Sequence, residues 1–514
     1  MRLQFRANAS AWLAAGVFCV ASGPWLLEPR TLHHDCAWYV YAAGRMLDGA
    51  RLYVDLVEPN PPLVYYLTLP SVAFASSVGW AATSVFNLFV LLVGVGSILL
   101  ASVVLVSLVR AQGSSIRHLL VAALSYFLIL FPRADFGQRE HLLVLFVLPY
   151  VLLTAARVTG APVKRWIGAA IGVIAGLGLL LKPHFLLAPA ALQLYALVRT
   201  RRLAPLLQPE NVALALLGAA YGVHFVLLPS DVQTGLRTTL AWVLGSYGAY
   251  DVPVGLILEH RSFWSLLLFG AFAFVPRIGE LRGACIVSWI AGMSFLAGAM
   301  LQQKGWPYHF LPARTFCGVV GALAALGFVE QGWRRRPRIR RALLGSIALL
   351  GCAFVSVEAW KERSSRRERA SQVHDAALLR DLAAGGPIAA LDTSLWPYFP
   401  LVNYADLEWS LRFPFLWPLP GILRERAPSG DAGPPVRGGA PRSERERLLL
   451  EALVEDMERR PPTLVLVKRG RLFGVADRDV DILEWFLADE RFAEIWRSYA
   501  KVAEFPGIAL YRRR

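Results

Sequence analysis

The chain has 514 residues, of which 56% are apolar and 18% charged. A soluble globular chain carries about 25% charge. The composition therefore excludes a soluble enzyme, a disordered chain and a disulfide scaffold, and leaves a polytopic membrane protein. The net charge of +16 does not point to nucleic acid. The excess Lys and Arg stand at the ends of apolar runs, where basic residues set membrane orientation.

Eleven apolar spans are read along the chain, at 10–28, 80–109, 118–132, 141–156, 166–181, 185–198, 211–229, 263–276, 283–301, 310–329 and 342–357. Some are short for a bilayer, which implies tilted or broken helices. The first resembles a signal peptide, but its apolar stretch continues through Trp25 and Leu27, which favours an uncleaved anchor. With the N-terminus cytoplasmic, the cytoplasmic loops hold 18 basic and 3 acidic residues. The opposite loops hold 10 of each before Glu358. That asymmetry places the C-terminal part outside the cytoplasm. No internal repeat and no lipidation motif is read.

Charge density changes near Trp360. Before Glu358 there are 28 Lys+Arg and 13 Asp+Glu; from Glu358 onward there are 25 and 24. The expected organisation is a transmembrane domain, 1–357, and a periplasmic domain, 358–514. In the second, 387–392 and 463–467 read as short buried strands, and 508–511 as an edge strand. Helical segments are expected near 443–459 and 479–490. Residues 427–443, rich in Gly, Pro and Arg, read as a mobile loop. The fold expected is a polytopic α-helical membrane domain followed by a small α/β domain. The five cysteines, Cys19, Cys36, Cys285, Cys317 and Cys352, have no metal-ligand spacing and imply no structural disulfide.

Ionisable residues in or beside membrane spans are costly, and clusters of them mark function. Here they gather in the external loops. The first loop reads His33-His34-Asp35, then an amphipathic stretch from Ala37 to Leu47 suited to the interface. Asp55, Glu58, Asn60 and Pro61-Pro62-Leu63 follow. The second carries Arg133, Asp135, Gln138, Arg139, Glu140 and His141. The third is Lys182-Pro183-His184. The fourth ends Glu259-His260-Arg261. The fifth runs from Gln302 through Lys304, Tyr308 and His309, with Arg314 just inside the next span.

Each piece also has a plainer reading. The second loop is equally a salt-bridged turn, Lys182 a snorkelling lysine, and His309 an interfacial histidine. His33, His34 and Asp35 are a candidate metal group, but adjacent histidines rarely chelate one ion and no third histidine has helical spacing, so no cofactor is assigned. As a set, the loops support one chemistry. A carboxylate acts as general base toward a hydroxyl or amine. Arg and Lys hold a phosphate. Interface helices guide a lipid-linked substrate.

The motif order resembles the C-type (GT-C) membrane glycosyltransferases. An acidic residue follows the first span, Asp35. Then come Gly49-Ala-Arg-Leu-Tyr53-Val-Asp55 and Pro61-Pro62-Leu63-Val-Tyr65-Tyr66. That superfamily includes protein O-mannosyltransferases and the bacterial transferases that add aminoarabinose to lipid A. Gly137-Gln138-Arg139-Glu140-His141, Lys182-Pro183-His184-Phe185 and Gly305-Trp306-Pro307-Tyr308-His309 resemble its bacterial branch. The resemblance covers roughly residues 1–330. It implies a polyprenyl-phosphate-linked sugar donor, inversion at the anomeric carbon and Asp35 as base. Many relatives have Lys before Pro-Pro-Leu, where this chain has Asn60. The phosphate-binding cation is then expected among Arg139, Lys182, Lys304 and Arg314, with Arg139 and Lys182 first.

The sequence reading is thus an inverting glycosyltransferase of a bacterial inner membrane, acting on a periplasmic lipid, glycan or protein. His34, Asp55, Glu58, Asn60, Gln138, Glu140, His141, His184, Tyr308 and His309 are expected to line the pocket or meet the acceptor. A transporter or lipid flippase is the first alternative. It calls for polar residues at mid-membrane and repeated halves. A membrane-anchored binding protein is the second, and calls for a ligand-sized cleft in the tail.

Overall fold

The computed structural model describes residues 31–109, 114–259, 264, 267, 281–332, 335–339, 342–346, 363–426, 443–475 and 480–514. The expected first span, 10–28, lies outside them, as do nearly all of the span at 263–276, most of that at 342–357 and nearly all of the loop at 427–443. Residue contacts divide the chain into two units. The first comprises 1–30, 75–225 and 252–366; the second comprises 31–74, 226–251 and 367–514.

In the first unit, helices occupy the other expected spans. They include Ala82–Leu108, Arg139–Val158, Arg165–Leu179, Leu187–Thr200, Pro209–Leu227, Arg282–Gln302 and Leu311–Gly332. Ser114–Ser125 continues into a π turn, Tyr126–Leu130, where Ser125 Oγ bonds back to the Val121 carbonyl. Among the described residues, five helices are long and apolar enough to cross a bilayer. Arg139–Val158 is the central one. It packs on Arg165–Leu179, Ala82–Leu108 and Arg282–Gln302, and nearly all its side chains are buried. Pro209–Leu227 is the opposite case. Its Leu216 and Val223 are 67% and 55% exposed, an apolar outer surface that suits lipid and not water. Trp80 and Trp166, both exposed, flank helix starts as interfacial anchors do.

Small residues let these helices approach closely, since in lipid packing and not water exclusion drives helix association. Gly168, Gly172 and Gly176 lie on one face of Arg165–Leu179. A Cβ at Gly172 would lie 2.1 Å from the Glu210 carbonyl oxygen, and one at Gly168 would meet the Glu210 carboxylate at 2.5 Å. That carboxylate is fully buried and held by Arg157, at 2.8 Å from Nε and 3.1 Å from Nη2.

The second unit is mixed. It contains the helix His34–Leu47 and much of Leu63–Val78. The latter is a 16-residue helix with Pro70 inside it, where no span is expected from the sequence. The helix Ser230–Ser246, within the expected fourth external loop, also belongs to it. Four strands form one sheet in the order β1-β2-β4-β3. These are β1 (Ile388–Leu391), β2 (Leu464–Lys468), β3 (Tyr499–Phe505) and β4 (Ile508–Arg513). β1 and β2 run parallel and are buried along their lengths; β4 pairs antiparallel with both β2 and β3. β4 is therefore an inner strand and not the edge expected from its sequence. The β3–β4 hairpin folds back so that β3 takes the edge. The expected helix near 443–459 is Glu444–Arg459. The one near 479–490 is two short helices, Ile482–Leu487 and Glu490–Trp496, each capped by an Asp, Asp481 and Asp489. Cys36, Cys285 and Cys317 are buried.

Asp392, just after β1, is a buried carboxylate bonded by the Tyr398 hydroxyl at 2.9 Å, Thr393 N–H at 2.6 Å and Ser394 N–H at 3.2 Å. Burial pushes its pKa up to about 6, against the pull of the Tyr398 bond and the Lys468 charge. The folded state thus holds this proton more tightly than the unfolded chain does. Stability should be full below pH about 4 and fall as pH rises toward 6, by about 3 kcal/mol for a shift of this size. Asp392→Asn should flatten that dependence in urea unfolding of the detergent-solubilised protein followed between pH 4 and 7. Helix packing gives a second expectation. Gly172→Ala should destabilise by about 1–3 kcal/mol through overpacking. Gly96→Ala, whose Cβ meets nothing within 4 Å, should be neutral or stabilising by up to ~1 kcal/mol. Thermal unfolding in detergent distinguishes the two.

Candidate functional site

Three segments of the first unit bring ionisable side chains together. The first is the start of Arg139–Val158. Gly137 has φ +85, a conformation that glycine adopts freely, and it turns the chain into the helix. Gln138 caps that helix by accepting from Arg139 N–H. His141 locks the turn. Its Nδ1 accepts from Gly137 N–H at 2.9 Å, so Nε2 carries the proton and donates to the Leu128 carbonyl at 2.7 Å. His141 thereby holds the backbone and is fully occupied. Glu140 stands in the first helical turn, where the macrodipole favours an acid.

The second segment follows Arg165–Leu179. Gly178 passes close to the neighbouring helix, and a Cβ there would lie 2.9 Å from Phe146 Cβ. Pro183 excludes helical geometry at Lys182, which is extended at φ −146, ψ 139. The chain thus leaves the helix beside Glu140. Lys182 Nζ donates to Glu140 Oε1 at 2.5 Å and to Gln302 Oε1 at 3.1 Å. The Glu140 side chain is 0% exposed and that of Lys182 9%.

The third segment joins Arg282–Gln302 to Leu311–Gly332. Gln303, at φ +52, ends the first helix and leaves Gln302 in its last turn. A 3-10 turn, Pro307–Phe310, then presents His309, whose Nε2 lies 3.7 Å from Glu140 Oε1. Trp306 and Tyr308 pack their rings on His309 at 5.2 and 4.6 Å. Lys182, Arg139, His184 and Lys304 all lie within electrostatic reach of it. His184 packs against Gly298, where a Cβ would meet its ring at 3.1 Å. Burial, with the Lys182 and Arg139 charges behind it, pulls the His184 imidazole down to about 3, so it is neutral. Glu140 Oε2, both His309 nitrogens and His184 Nε2 are buried without a hydrogen-bond partner. Such groups are costly and are available to a polar ligand.

Of the residues expected to bind phosphate, Arg139, Lys182 and Lys304 are buried around this cluster. Arg314 stands with a different partner. It donates to the Pro307 carbonyl at 3.0 Å and lies 3.9 Å from Asp135. The sequence reading missed Gln302. A neutral amide at a helix end carries no charge signal, and its place beside Lys182 depends on contact over 120 residues.

The second unit holds the first-loop residues. His33 caps the helix His34–Leu47, its Nδ1 accepting from Asp35 N–H at 3.2 Å. Asp35 is in the first turn, 18% exposed, with His34 Nε2 3.6 Å from its Oδ1. One ligand atom from each of His33, His34 and Asp35 can be chosen so that all lie within 4.8 Å of one another. Among the described residues this is the group able to hold a metal ion, and backbone folding at the helix start makes it. Glu58 is buried. One oxygen accepts from Trp38 Nε1 at 2.7 Å, and the other takes Asn60 N–H and the Asn60 amide. Asn60 in turn accepts from the Tyr53 hydroxyl at 2.8 Å. Asp55 binds Arg51 and Arg459. Glu58, Asn60 and Asp55 thus shape the loop with their polar groups.

No protein-family profile and no characterised protein matches the sequence. Among solved structures, the chain is similar to the Archaeoglobus fulgidus oligosaccharyltransferase tethered with an acceptor peptide containing the NVT sequon. The TM-score is 0.48 at 13% identity, over 99% of this chain and 74% of that one. It is also similar to arabinofuranosyltransferase AftD from Mycobacteria, with a TM-score of 0.35 at 14% identity, over 100% of this chain and 40% of that one.

The Glu140–Lys182 pair yields a double-mutant expectation. Breaking a buried pair from one side leaves an uncompensated charge and costs about 3–5 kcal/mol, whereas replacing both partners is far milder. Glu140→Gln and Lys182→Met should each lower the melting temperature in detergent. The double variant should recover most of the loss, so the two single losses should be far from additive. Additive losses would show that the two side chains do not act as a pair.

Proposed function

We propose that this chain is a membrane glycosyltransferase of the C-type superfamily that takes its sugar from a polyprenyl-phosphate carrier. The observation that carries this reading is the buried cluster of Glu140, Lys182, Gln302 and His309, with Arg139 and Lys304 near it. Cations held in an apolar surround act strongly on a phosphate, because low dielectric magnifies each charge. A departing polyprenyl phosphate gains charge as the glycosidic bond breaks, so Arg139 and Lys182 lower that barrier. Glu140 holds Lys182 in position, and His309 and Tyr308 line the pocket.

Asp35 is the base. It removes the proton from the acceptor hydroxyl or amine as that group attacks the anomeric carbon, and the sugar inverts. It stands partly exposed in the first turn of its helix, where the dipole favours a negative charge. The acceptor, a lipid, glycan or protein, is met outside the cytoplasm in a bacterial inner membrane.

A transporter would carry its ionisable groups at mid-helix. Here Glu140 is in a first helical turn, Lys182 follows a helix end, Gln302 closes a helix and His309 precedes one. That placement supports chemistry near a membrane surface over passage through it.

The test is release of polyprenyl phosphate by the purified protein from a panel of polyprenyl-phosphate sugars, with a cell extract supplying acceptors. Wild type should release it. Asp35→Asn should bind donor normally and lose about 10²–10³-fold or more in rate, as loss of a group acting in the transition state does. Normal transfer by that variant would remove Asp35 from the mechanism. No release from any donor would turn the assignment toward transport.

A further inference from the structure

A second cavity, of about 230 Å³, lies wholly within the second unit. It is smaller than the 300–1,000 Å³ of a drug-sized site. Its walls come from three distant segments: the end of His34–Leu47 with the turn after it, the stretch 409–412, and the end of Glu444–Arg459 with Arg460.

The floor is fixed before anything binds. Trp409 N–H donates to the Tyr41 hydroxyl at 2.7 Å, Ser410 N–H to the Ile388 carbonyl at 2.8 Å, and Trp409 Nε1 to the Phe413 carbonyl at 2.8 Å. One wall is likewise committed. Asp456 accepts from Arg412 N–H at 2.7 Å and Nε at 2.8 Å, and Glu455 takes Nη2 at 2.8 Å.

Two other guanidiniums are loosely held. Arg45 and Arg460 lie 3.7 and 3.9 Å from the one exposed carboxylate of Glu408, beyond hydrogen-bond reach. Their fork donors therefore remain available to a ligand. Asp48 adds an exposed carboxylate that accepts hydroxyl donors. Ser410 adds a hydroxyl that is buried without a partner. Tyr41 supplies a half-buried aromatic ring, whereas the Trp409 ring is buried.

Guanidinium donors beside a carboxylate acceptor, with one half-buried aromatic ring and room for a small ring, match a polyhydroxylated ligand. The lining carries both signs of charge, so a bare anion is not what it selects. We propose that this cavity is a carbohydrate site that takes one sugar unit, with Arg45 and Arg460 donating to ring hydroxyls and Asp48 accepting from them. Within the proposed transferase the bound sugar is the end of an acceptor glycan. That link rests on the functional reading above, whereas the binding itself does not.

Binding is read without donor or turnover, so its failure is separable from failure of the transferase reading. Full-length protein in detergent is titrated with D-glucose, D-galactose, D-mannose, D-glucuronate and, as a bare-anion control, sodium sulfate. Saturation-transfer NMR follows the sugars and calorimetry follows all five. At least one sugar should bind with a millimolar Kd, and sulfate should not. Arg45→Ala and Arg460→Gln should each weaken binding about tenfold. Arg460 stands at a partly exposed helix end, so its variant should melt as wild type does and serves if Arg45→Ala fails to fold. Sugar binding unchanged in Arg460→Gln would place the ligand elsewhere and overturn the proposal. So would binding of sulfate alone, or of nothing.

Discussion

The first unit depends on a buried ion pair. Taking two charges out of water costs several kcal/mol each, and the pair repays this only with good geometry and further hydrogen bonds. Glu140 and Lys182 meet at 2.5 Å, and Gln302 takes a second bond from the ammonium. That requirement ties together the start of one helix, the exit from another and the end of a third. None of the three can shift along its axis without stranding a charge in an apolar surround. The glycine contacts at Gly178 and Gly298 are the steric counterpart. They clear the space that the electrostatics requires, and Gln303 at positive φ with Pro183 sets where each chain leaves its helix.

The second unit solves a different problem with the same chemistry. Its buried carboxylates are not left partly satisfied. Glu58 is closed by Trp38 and Asn60, Asp456 by Arg412, and Asp392 by Tyr398 and two N–H groups. Asp392 and Glu58 tie together residues near them in the chain, whereas Asp456 with Arg412 joins segments 44 residues apart. Saturated networks of this kind rigidify what they connect. What remains incompletely bonded then stands out. In the first unit such groups include His309, His184 and one Glu140 oxygen. In the second they include Ser410, beside the long contacts of Arg45 and Arg460.

Much of this was legible in the chain. Apolar runs of bilayer length announced the helices, because in lipid a span must satisfy its own backbone. The strands at 388–391 and 464–468 showed as short apolar runs rich in branched residues. What failed to show was whatever depends on a partner. Leu63–Val78 is apolar yet only 16 residues long with Pro70 inside, so local pattern alone does not make it a span. Ile508–Arg513 reads as a strand, but period-2 patterning says nothing of its neighbours, and it lies between two others. His141 and Glu58 look like site residues because they are polar in a polar motif. Only the folded contacts show their polar groups already occupied.

The candidate site divides along the same line. Glu140, Lys182 and His309 were visible as charges that apolar helices ought not to tolerate, an energetic signal that needs no partner. Gln302 was not, because an amide at a helix end gives no signal until a buried ammonium stands beside it. Arg45, Ser410 and Arg460 were not, because each is unremarkable where it stands. Their meaning comes from convergence at one cavity over more than 360 residues of chain. Sequence reveals groups whose burial is expensive on its own. Recognition by several ordinary polar groups leaves no local trace, so such sites are found by asking which donors and acceptors the fold has left partly used.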